Sequence, residues 1–300
     1  MKPLLCIVGP TASGKTALSL SLAEALGGEI VSCDSMQIYR GCTIVTAKAT
    51  PDEQARAPHH LLDIIEPDQP FSAADWARAA SQTIENIEAR GKTPIVCGGT
   101  GFYLRALLEP GTLAVSPPDA SLRAELQAEL ERVGNEAMHE RLARLDPQAA
   151  ARLHPNDGHR VTRALEVALS PQREVALELS PRPAQIYALN WPRELLVERI
   201  HARVDAMIEA GALEETRDLV ERFGEEAPAL GSVGYKQLRA FLNDELSWNA
   251  AVEAWKAATR QYAKRQMTWF RGQTRATWLD ATRDVDELAR EIKSHREHRE

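Results

Sequence analysis

The octapeptide GPTASGKT at residues 9–16 constrains the fold of this chain more than any other feature. It matches the pattern G-x-x-x-x-G-K-[ST], in which glycines let backbone N–H groups surround a phosphate, the lysine adds a positive charge and the last hydroxyl reaches Mg²⁺. The apolar run LLCIV comes directly before it, and Leu18, Leu22 and Leu26 follow at helical spacing. The sequence therefore predicts a strand, a phosphate-binding loop and a helix, in that order.

Short apolar runs bounded by turn residues recur along the chain, with helical patterns between them. They lie at residues 4–8, 30–32, 61–65, 95–97 and 186–189. This alternation predicts an α/β fold, a P-loop NTPase-like core in which helices flank a parallel sheet. Because residues 117–180 contain no strand candidate, we predict a helical insertion over residues 117–182, a core formed by residues 1–116 and 183–300, and a helical C-terminal part.

Composition limits the compartment and the class of protein. Of the 300 residues, 44% are hydrophobic and 26% are charged, as in ordinary globular proteins. The first apolar run ends at Gly9 and is too short for an export signal or a membrane span. Four cysteines without CxxC spacing indicate buried free thiols. We expect a cytoplasmic protein that does not contact a membrane.

Two further segments follow predicted strands and carry polar residues. Asp34 follows the run at residues 30–32, and Thr100 lies in GGTGFY, directly after the run at residues 95–97. Open parallel sheets bind ligands at the carboxyl ends of their strands, so both side chains can face the phosphate loop. A role for Asp34 in a turn is equally compatible with its position. The glycines at residues 98–101 would let a ligand approach the backbone.

The phosphate loop by itself does not distinguish ATP, GTP or another diphosphate. No long apolar run ends in the aspartate that usually completes the Mg²⁺ site of a nucleotide hydrolase, and no guanine-reading NKxD motif is present in the sequence. These observations argue against a GTPase switch.

A basic segment lies near the C-terminal end of a chain whose net charge is −7. No acidic residue occurs between Glu253 and Asp280, whereas this stretch contains Lys256, Arg260, Lys264, Arg265, Arg271 and Arg275. An aromatic stripe recurs at helical spacing through Trp248, Val252, Trp255, Thr259, Tyr262, Gln266 and Trp269, and predicts attachment of the helix to the core. We expect the separate stripe of Lys256, Arg260 and Lys264 to face RNA phosphates, although composition alone also fits a solvated face.

Eight motifs occur in a fixed order along nearly the whole chain. They are GPTASGKT at residues 9–16, DSMQIY at 34–39, PHHLLDI at 58–64, GGTGFY at 98–103, DGHRVTRALEV at 157–167, RIHARVDAM at 199–207, VGYKQ at 233–237 and AKRQMTWFR at 263–271. Together they resemble the tRNA dimethylallyltransferases, also called tRNA isopentenyltransferases. The chain departs from that pattern at Val45 and Ala49, where the family has glycine and proline, and at Gly231, where it often has a basic residue.

The resemblance implies a reaction and roles for single residues. A dimethylallyl group would pass from dimethylallyl diphosphate to the exocyclic N6 of an adenine beside the tRNA anticodon, with pyrophosphate as the leaving group. It also implies that Asp34 accepts the amine proton, Thr100 orients the amine, Arg203 lies near the diphosphate with Arg199 one helical turn earlier, and Thr16 anchors the cofactor Mg²⁺. The insertion would clamp the anticodon stem-loop of the tRNA, and the enzyme is expected to be a monomer.

Two groups of binding residues follow from the same resemblance. The diphosphate would be bound by Gly9, Pro10, Thr11, Ala12, Ser13, Gly14, Lys15 and Thr16. The tRNA would be bound by Asp34, Ser35, Met36, Gln37, Thr100, Arg123, His159, Arg160, Val161, Thr162, Arg163, Lys236, Lys264, Arg265, Trp269 and Arg271. Trp269 is the aromatic residue of its stripe that best fits stacking on a base.

Three other functions remain open at this stage. Prenyl transfer to free AMP would use the same loops but needs neither the insertion nor the basic segment, and both features favour tRNA. A small-molecule kinase would also contain the phosphate loop, with Arg199 and Arg203 as a phosphate-covering lid. A non-catalytic, nucleotide-dependent RNA-binding module is disfavoured by Asp34 and Thr100.

Overall fold

The computed structural model describes residues 2–112, 114–115, 120–169, 175–177 and 179–297. The chain divides into two compact units. Residues Met1–Glu109 and Leu179–Glu300 form the first, and Pro110–Glu178 form the second.

The first unit is built on a six-stranded parallel sheet. Its strands, in the spatial order β3-β2-β4-β1-β7-β8, are β1 (Leu4–Val8), β2 (Gly28–Ser32), β3 (His59–His60), β4 (Thr93–Gly98), β7 (Ala184–Asn190) and β8 (Thr277–Asp280). Every residue of β1 is buried, as expected for a strand covered on both faces. This sheet confirms the predicted α/β fold and four of the five predicted strands.

Helices flank the sheet and supply much of the core. In this unit they are α1 (Lys15–Leu26), α2 (Pro51–Arg56), α3 (Ala73–Ala89), α4 (Gly101–Leu108), α8 (Arg193–Glu209), α9 (Ala212–Phe223), α10 (Tyr235–Leu242), α11 (Trp248–Gln273) and α12 (Val285–Glu297). Leu5 and Ile7 of β1, Leu22 of α1 and Ile292 of α12 are fully buried in one cluster. Burial of each such side chain contributes roughly 2 kcal/mol, so this cluster holds β1 and the loop after it firmly.

In the first unit, two predictions about strands were wrong. The chain forms a strand at His59–His60 and not at residues 61–65, because Leu61 and Asp63 adopt left-handed backbone angles (φ 62° and 53°) that end the extended conformation. The edge strand β8 was missed in the part predicted to be helical. Of its four residues only Leu279 is buried, so it carries no clear alternation in the sequence.

The second unit is largely helical, as predicted, and has its own core. Its helices are α5 (Ala120–Leu145), which is interrupted at Gly134 (φ 80°, ψ 172°), α6 (Pro147–Ala150) and α7 (Gly158–Leu169). Leu126, Met138, Leu142 and Leu165 are buried together between them. The expected absence of strands was wrong, since β5 (Ala114–Val115) pairs antiparallel with β6 (Val175–Ala176). Two residues are too few to produce a periodic signal.

Two further expectations can be compared with the described part of the chain. Cys6, Cys33 and Cys42 are buried free thiols as predicted, and Cys97 is half-buried. None of the described helices combines the length and the apolar character needed to cross a bilayer.

Candidate active site at the carboxyl edge of the sheet

The phosphate loop, residues 9–16, leaves β1 and runs into the first turn of α1. Gly9, Ala12 and Gly14 adopt positive φ angles of 145°, 62° and 90°. A Cβ atom at Gly9 would lie 3.2 Å from the Leu189 carbonyl oxygen, so glycine is required there by both conformation and space. The loop therefore has the curled backbone that surrounds a phosphate with N–H groups at a helix N-terminus.

Trp191, directly after β7, and Arg199 of α8 support the backbone of this loop. Arg199 Nε donates to the Ala12 carbonyl oxygen at 2.9 Å, and Trp191 Nε1 donates to the Ser13 carbonyl oxygen at 2.9 Å. The Arg199 guanidinium lies 4.3 Å from the centre of the Trp191 ring. Arg199 thus holds the loop backbone, and Trp191 is a supporting residue that sequence reasoning missed. Because the tryptophan precedes Pro192 and lies outside the motif, nothing local indicated its role.

Lys15, Arg203 and Asp34 interact electrostatically at this edge. Lys15 Nζ donates to the Pro10 carbonyl oxygen at 2.6 Å. Burial lowers the pKa of Lys15 to about 8; nearby Arg203 also lowers it, while Asp34 raises it. Burial likewise lowers the pKa of Arg203, and Asp34 opposes that shift. The three predicted site residues are therefore brought together, two cations beside one carboxylate.

The Asp34 loop (residues 33–37) and the Thr100 loop (residues 98–101) are joined by hydrogen bonds. Ser35 N donates to Thr100 Oγ1 at 3.0 Å, and Thr100 N donates to the Cys33 carbonyl oxygen at 3.1 Å. A Cβ atom at Gly98 would lie only 2.0 Å from the Cys33 carbonyl oxygen. Gly98 is therefore required by the contact between the two loops, and not by a ligand as the sequence suggested.

Gly99 and Gly101 make room for side chains of α11. Added Cβ atoms would lie 2.2 Å from Gln266 Nε2 and 2.2 Å from the Trp269 ring, respectively. The ring of Trp269, proposed above for base stacking, is thus seated against Gly101. The interpretation of these two glycines as ligand-approach positions needs the same correction as that of Gly98, because in both cases the protein itself fills the space.

The aromatic stripe of α11 packs against the unit, as predicted, but it also reaches the active site. Trp255 is 2% exposed, which confirms its role as an anchor. Burial and, after it, nearby Asp34 raise the pKa of half-buried Tyr262, whereas the adjacent Thr100 side chain lowers it. Thr100 therefore contacts both Ser35 and Tyr262. Tyr262 was assigned to the core by its spacing, so its contact with Thr100 was missed.

Gln37, the last residue of the Asp34 loop, is hydrogen-bonded to residues on both sides of that loop in the chain. Its Oε1 accepts from Ser32 Oγ at 3.0 Å, and its Nε2 donates to the carbonyl oxygens of Thr46 and Ala47 at 3.3 and 3.2 Å. These bonds use both amide hydrogens and the amide oxygen. In this conformation the Gln37 side chain connects the end of β2, at Ser32, to residues 46–47.

Glu215 of α9 holds residues 43–45, which follow the Asp34 loop in the chain. Its carboxylate accepts hydrogen bonds from the N–H groups of Thr43, Ile44 and Val45 at 3.0, 2.6 and 3.1 Å, and from the Tyr235 hydroxyl at 2.6 Å. Val45, which replaces the family's glycine, has no positive φ. The segment therefore accommodates a branched side chain, and sequence reasoning missed Glu215 because it lies outside every motif.

Arg123 and Arg163, two predicted tRNA-binding residues of the insertion, share one buried carboxylate. Glu166 is 2% exposed, accepts a hydrogen bond from Arg123 Nη2 at 3.1 Å and forms an ion pair with Arg163, whose Nη1 lies 2.8 Å from its carboxylate. Burial raises the pKa of Glu166, but the two arginines outweigh this effect and bring the pKa below its usual value. Part of the positive charge of both arginines is thus neutralised within the insertion.

The other insertion residues differ in exposure. His159 and Arg160 are exposed, and Arg160 pairs with Asp157 at 3.4 Å. Val161 is fully buried in the insertion core and Thr162 is 7% exposed. Their side chains are therefore placed to support α7 from inside, whereas His159 and Arg160 face outward.

The basic segment divides into a paired part and an exposed part. Lys256 Nζ lies 2.7 Å from Asp205 Oδ1, and Arg260 Nη1 donates to His201 Nε2 at 2.6 Å. The expectation that Lys256 and Arg260 face RNA phosphates was therefore wrong, because α8 packs against that side of α11. Lys264, Arg265 and Arg271 are exposed on the same helix, as is Lys236 at the start of α10.

No cluster of three or more His, Cys, Asp or Glu side chains that could hold a metal occurs in the described ranges.

The contacts at this edge of the sheet define a class of enzyme. The phosphate loop, with Lys15 and Arg203, can bind a diphosphate or triphosphate. The Asp34 carboxylate and the Thr100 hydroxyl, from other loops at the same edge, can act on a second substrate. Residues 37–273 match the model of the IPP transferase family, and this chain belongs to that family. The match begins after the phosphate loop and includes Thr100, Arg203 and Gln266.

Relatives extend the similarity across the phosphate loop. A protein of Moorella thermoacetica named tRNA dimethylallyltransferase is 43% identical, covering 97% of this chain and 94% of its own length. One of the same name from an Anaeromyxobacter species is 46% identical, with 98% and 100% coverage.

Two solved structures share the fold. The full-length tRNA isopentenylpyrophosphate transferase of Bacillus halodurans superposes with a TM-score of 0.74 at 38% identity, covering 99% of this chain and 98% of that one. A eukaryotic dimethylallyltransferase that acts on tRNA gives a TM-score of 0.75 at 29% identity over 94% of this chain and 74% of that one.

Proposed function

We propose that this protein transfers the dimethylallyl group of dimethylallyl diphosphate to N6 of an adenine beside the anticodon of tRNA, releasing pyrophosphate. The observation that carries the proposal is the meeting of Lys15 and Arg203 with Asp34 at one sheet edge, next to Thr100. The names of the relatives support the same reaction. We further propose that the enzyme acts as a monomer in the cytoplasm.

The reaction balances with the groups at hand. The C–O bond between the prenyl carbon and the diphosphate breaks, and its electron pair leaves with pyrophosphate. The same carbon forms a bond to the adenine N6, whose proton passes to the Asp34 carboxylate. An aromatic amine is a weak nucleophile, so a base within reach of this proton is needed as the bond forms. The Thr100 hydroxyl, which accepts a hydrogen bond from Ser35 N and lies beside Tyr262, orients the amine.

The phosphate loop stabilises the pyrophosphate leaving group. Negative charge grows on pyrophosphate in the transition state, and Lys15, Arg203 and the loop amides are placed in advance to stabilise it. Thr16, in the first turn of α1, would hold Mg²⁺ together with substrate phosphate oxygens and water. The donor set fits this ion, because Mg²⁺ binds through few protein ligands plus phosphates. When bound, it supplies positive charge at the diphosphate.

The acceptor is proposed to be tRNA and not a free nucleotide. The exposed cations Lys264, Arg265 and Arg271 of α11 belong to the unit that contains the active site, and free AMP would not require them. His159 and Arg160 of the insertion are likewise exposed and suited to phosphate contacts. The role of the insertion as a clamp on the anticodon stem-loop rests on its family motif.

One assay tests the proposal against its rivals. The protein is incubated with Mg²⁺, radiolabelled dimethylallyl diphosphate and total tRNA, and in parallel with AMP in place of tRNA. We expect label in tRNA and release of pyrophosphate. Label in AMP alone would indicate the free-nucleotide enzyme. No prenyl transfer, with ATP-dependent phosphorylation of a metabolite instead, would indicate a kinase.

A further inference from the structure

Gln266 is a buried polar side chain that bridges two catalytic loops. It lies on α11 and is 6% exposed. Its Oε1 accepts from Thr11 N of the phosphate loop at 2.9 Å, and its Nε2 donates to the Gly99 carbonyl oxygen of the Thr100 loop at 3.0 Å. Thr11 and Gly99 are 88 positions apart in the chain. A single side-chain amide therefore connects the loop that holds phosphate to the loop that presents Thr100.

The orientation of the amide is determined by its partners. A backbone N–H can only donate and a carbonyl oxygen can only accept, so exchanging the oxygen and nitrogen of Gln266 would leave both bonds unmade. The bond to Thr11 also occupies one N–H of the phosphate loop, which is then not available to a phosphate. Gln266 consequently acts on the backbone of the two loops and not on a substrate.

The position of the bridge is itself fixed. Trp255 and Phe270, on either side of Gln266 in α11, are 2% and 1% exposed. At Gly99, the space that a Cβ atom would take is filled by the Gln266 amide. The buried helix thus fixes the position of the Gln266 amide, and the absence of a side chain at Gly99 leaves space for it. A residue that only filled the core would not need such a space.

We propose that Gln266 is a positioning residue that sets the distance between the phosphate loop and the Thr100 loop, and so between the prenyl donor and the adenine. The inference rests on the proposed function, since it concerns the two substrates of that reaction. The separation of two reacting groups affects the transition state more than the binding of either substrate, and a misplacement of about 1 Å can slow a reaction by roughly a hundredfold. Loss of the bridge should therefore lower the rate of the chemical step and change substrate affinity little.

The first variant is Gln266→Met, which keeps the length of the side chain and removes both hydrogen bonds. Its single-turnover rate constant is measured, because this quantity does not depend on the fraction of active enzyme. We expect a fall of at least about tenfold, with the KM values of both substrates changed by less than about threefold. Gln261→Met makes the same change at an exposed position of α11 and should leave the rate constant within about twofold of the unmodified protein.

The second variant, Gln266→Glu, gives a test by pH. A protonated carboxyl group reproduces the amide, accepting from Thr11 N and donating to the Gly99 carbonyl oxygen, whereas the ionised form cannot donate and faces that oxygen with a negative charge. Burial and the carbonyl oxygen both raise the pKa of such a carboxyl group. The ratio of the variant's rate constant to that of the unmodified protein should therefore rise as the pH falls from about 8 to about 6. Gln261→Glu should give a constant ratio.

Outcomes for Gln266 are separate from those for the proposed function. If the unmodified protein does not prenylate tRNA, the proposed function fails, and the bridge can still be checked by hydrogen exchange of the Thr11 amide, which should lose protection in Gln266→Met. If the unmodified protein is active, a Gln266→Met rate constant within about threefold of normal overturns the inference. A reduced but pH-independent ratio for Gln266→Glu also overturns it, because the loss would then reflect packing alone.

Discussion

The phosphate loop and the loops that carry Asp34 and Thr100 lie on the same sheet edge but are built differently. The phosphate loop is one stretch of eight residues, residues 9–16, whose pattern can be recognised in the sequence, and the distant side chains of Trp191, Arg199 and Gln266 also hold its backbone. The Asp34 and Thr100 loops are two separate segments. Gln266 and Tyr262 of α11 lie against the Thr100 loop, and Glu215 of α9 holds residues 43–45, which follow the Asp34 loop in the chain. Both sides of the site therefore rely on long-range contacts, but only the prenyl-donor side also has a pattern that is complete within eight consecutive residues.

The largest effect should come from the one residue of the acceptor side that takes part in bond making. Replacing Asp34 by Ala removes the base and should lower turnover at least about a hundredfold, in line with typical general-base contributions. tRNA affinity, measured by filter binding, should stay nearly normal. Asp68→Ala, at an exposed turn position, makes the same change away from the site and should leave turnover unchanged. Near-normal turnover of Asp34→Ala would exclude Asp34 as the base.

This contrast explains how much could be predicted from the sequence. The phosphate loop and four of the central strands were predicted because each is encoded within about ten consecutive residues. Asp34 and Thr100 were identified by their positions after predicted strands and received their roles from the family resemblance, and the structure places them in adjacent, hydrogen-bonded loops. Their supports were not found, because a single sequence does not show that Gln266 lies beside Thr11 or that Glu215 lies beside Ile44.

The errors have a related cause. Lys256 and Arg260 form a regular cationic stripe, but periodicity gives the relative direction of side chains around a helix and not what packs there. Helix α8 packs there and supplies Asp205 and His201. The glycines of the Thr100 loop were similarly assigned to ligand approach, whereas the space is filled by Gln266 and Trp269.

Glu215 supports the acceptor side from a distance and touches no substrate. Glu215→Ala leaves the N–H groups of Thr43, Ile44 and Val45 and the Tyr235 hydroxyl without their acceptor. We expect a loss of about 2–4 kcal/mol in the free energy of unfolding and a roughly tenfold lower turnover, measured by urea denaturation and by the prenylation assay.

The control is the neighbouring carboxylate. Glu214 is exposed on the same turn of α9, so Glu214→Ala should change stability by less than about 0.5 kcal/mol. Equal effects of the two substitutions would show that residues 43–45 are held by their own sequence, and the contrast between local and distant encoding would fail at this segment.

The third prediction concerns pH and the donor side. The pKa of Lys15 is about 8, so the lysine is charged below this pH and loses its charge as the pH rises through it. Since the charged form binds the diphosphate, kcat/KM for dimethylallyl diphosphate should fall roughly tenfold between pH 7 and pH 9. In Lys15→Arg the guanidinium keeps its charge throughout this range, so the alkaline decline should disappear even if the overall rate is lower. A decline that persists in Lys15→Arg would assign it to another group.

The smallest effect on turnover should come from the exposed cations of α11, which touch neither loop. Removing Lys264, Arg265 and Arg271 together should flatten the slope of log affinity for tRNA against log salt by about 2 to 3, because each phosphate contact contributes roughly 0.7 to 0.9. Turnover at saturating tRNA should change little. The control removes Arg78, Lys92 and Arg290, exposed cations outside α11, and should leave the slope unchanged. If both triple variants instead flatten the slope equally, tRNA binding depends on the total charge of the protein and not on these three positions. Helix α11 would then contribute to the acceptor side only through the face that carries Tyr262 and Gln266.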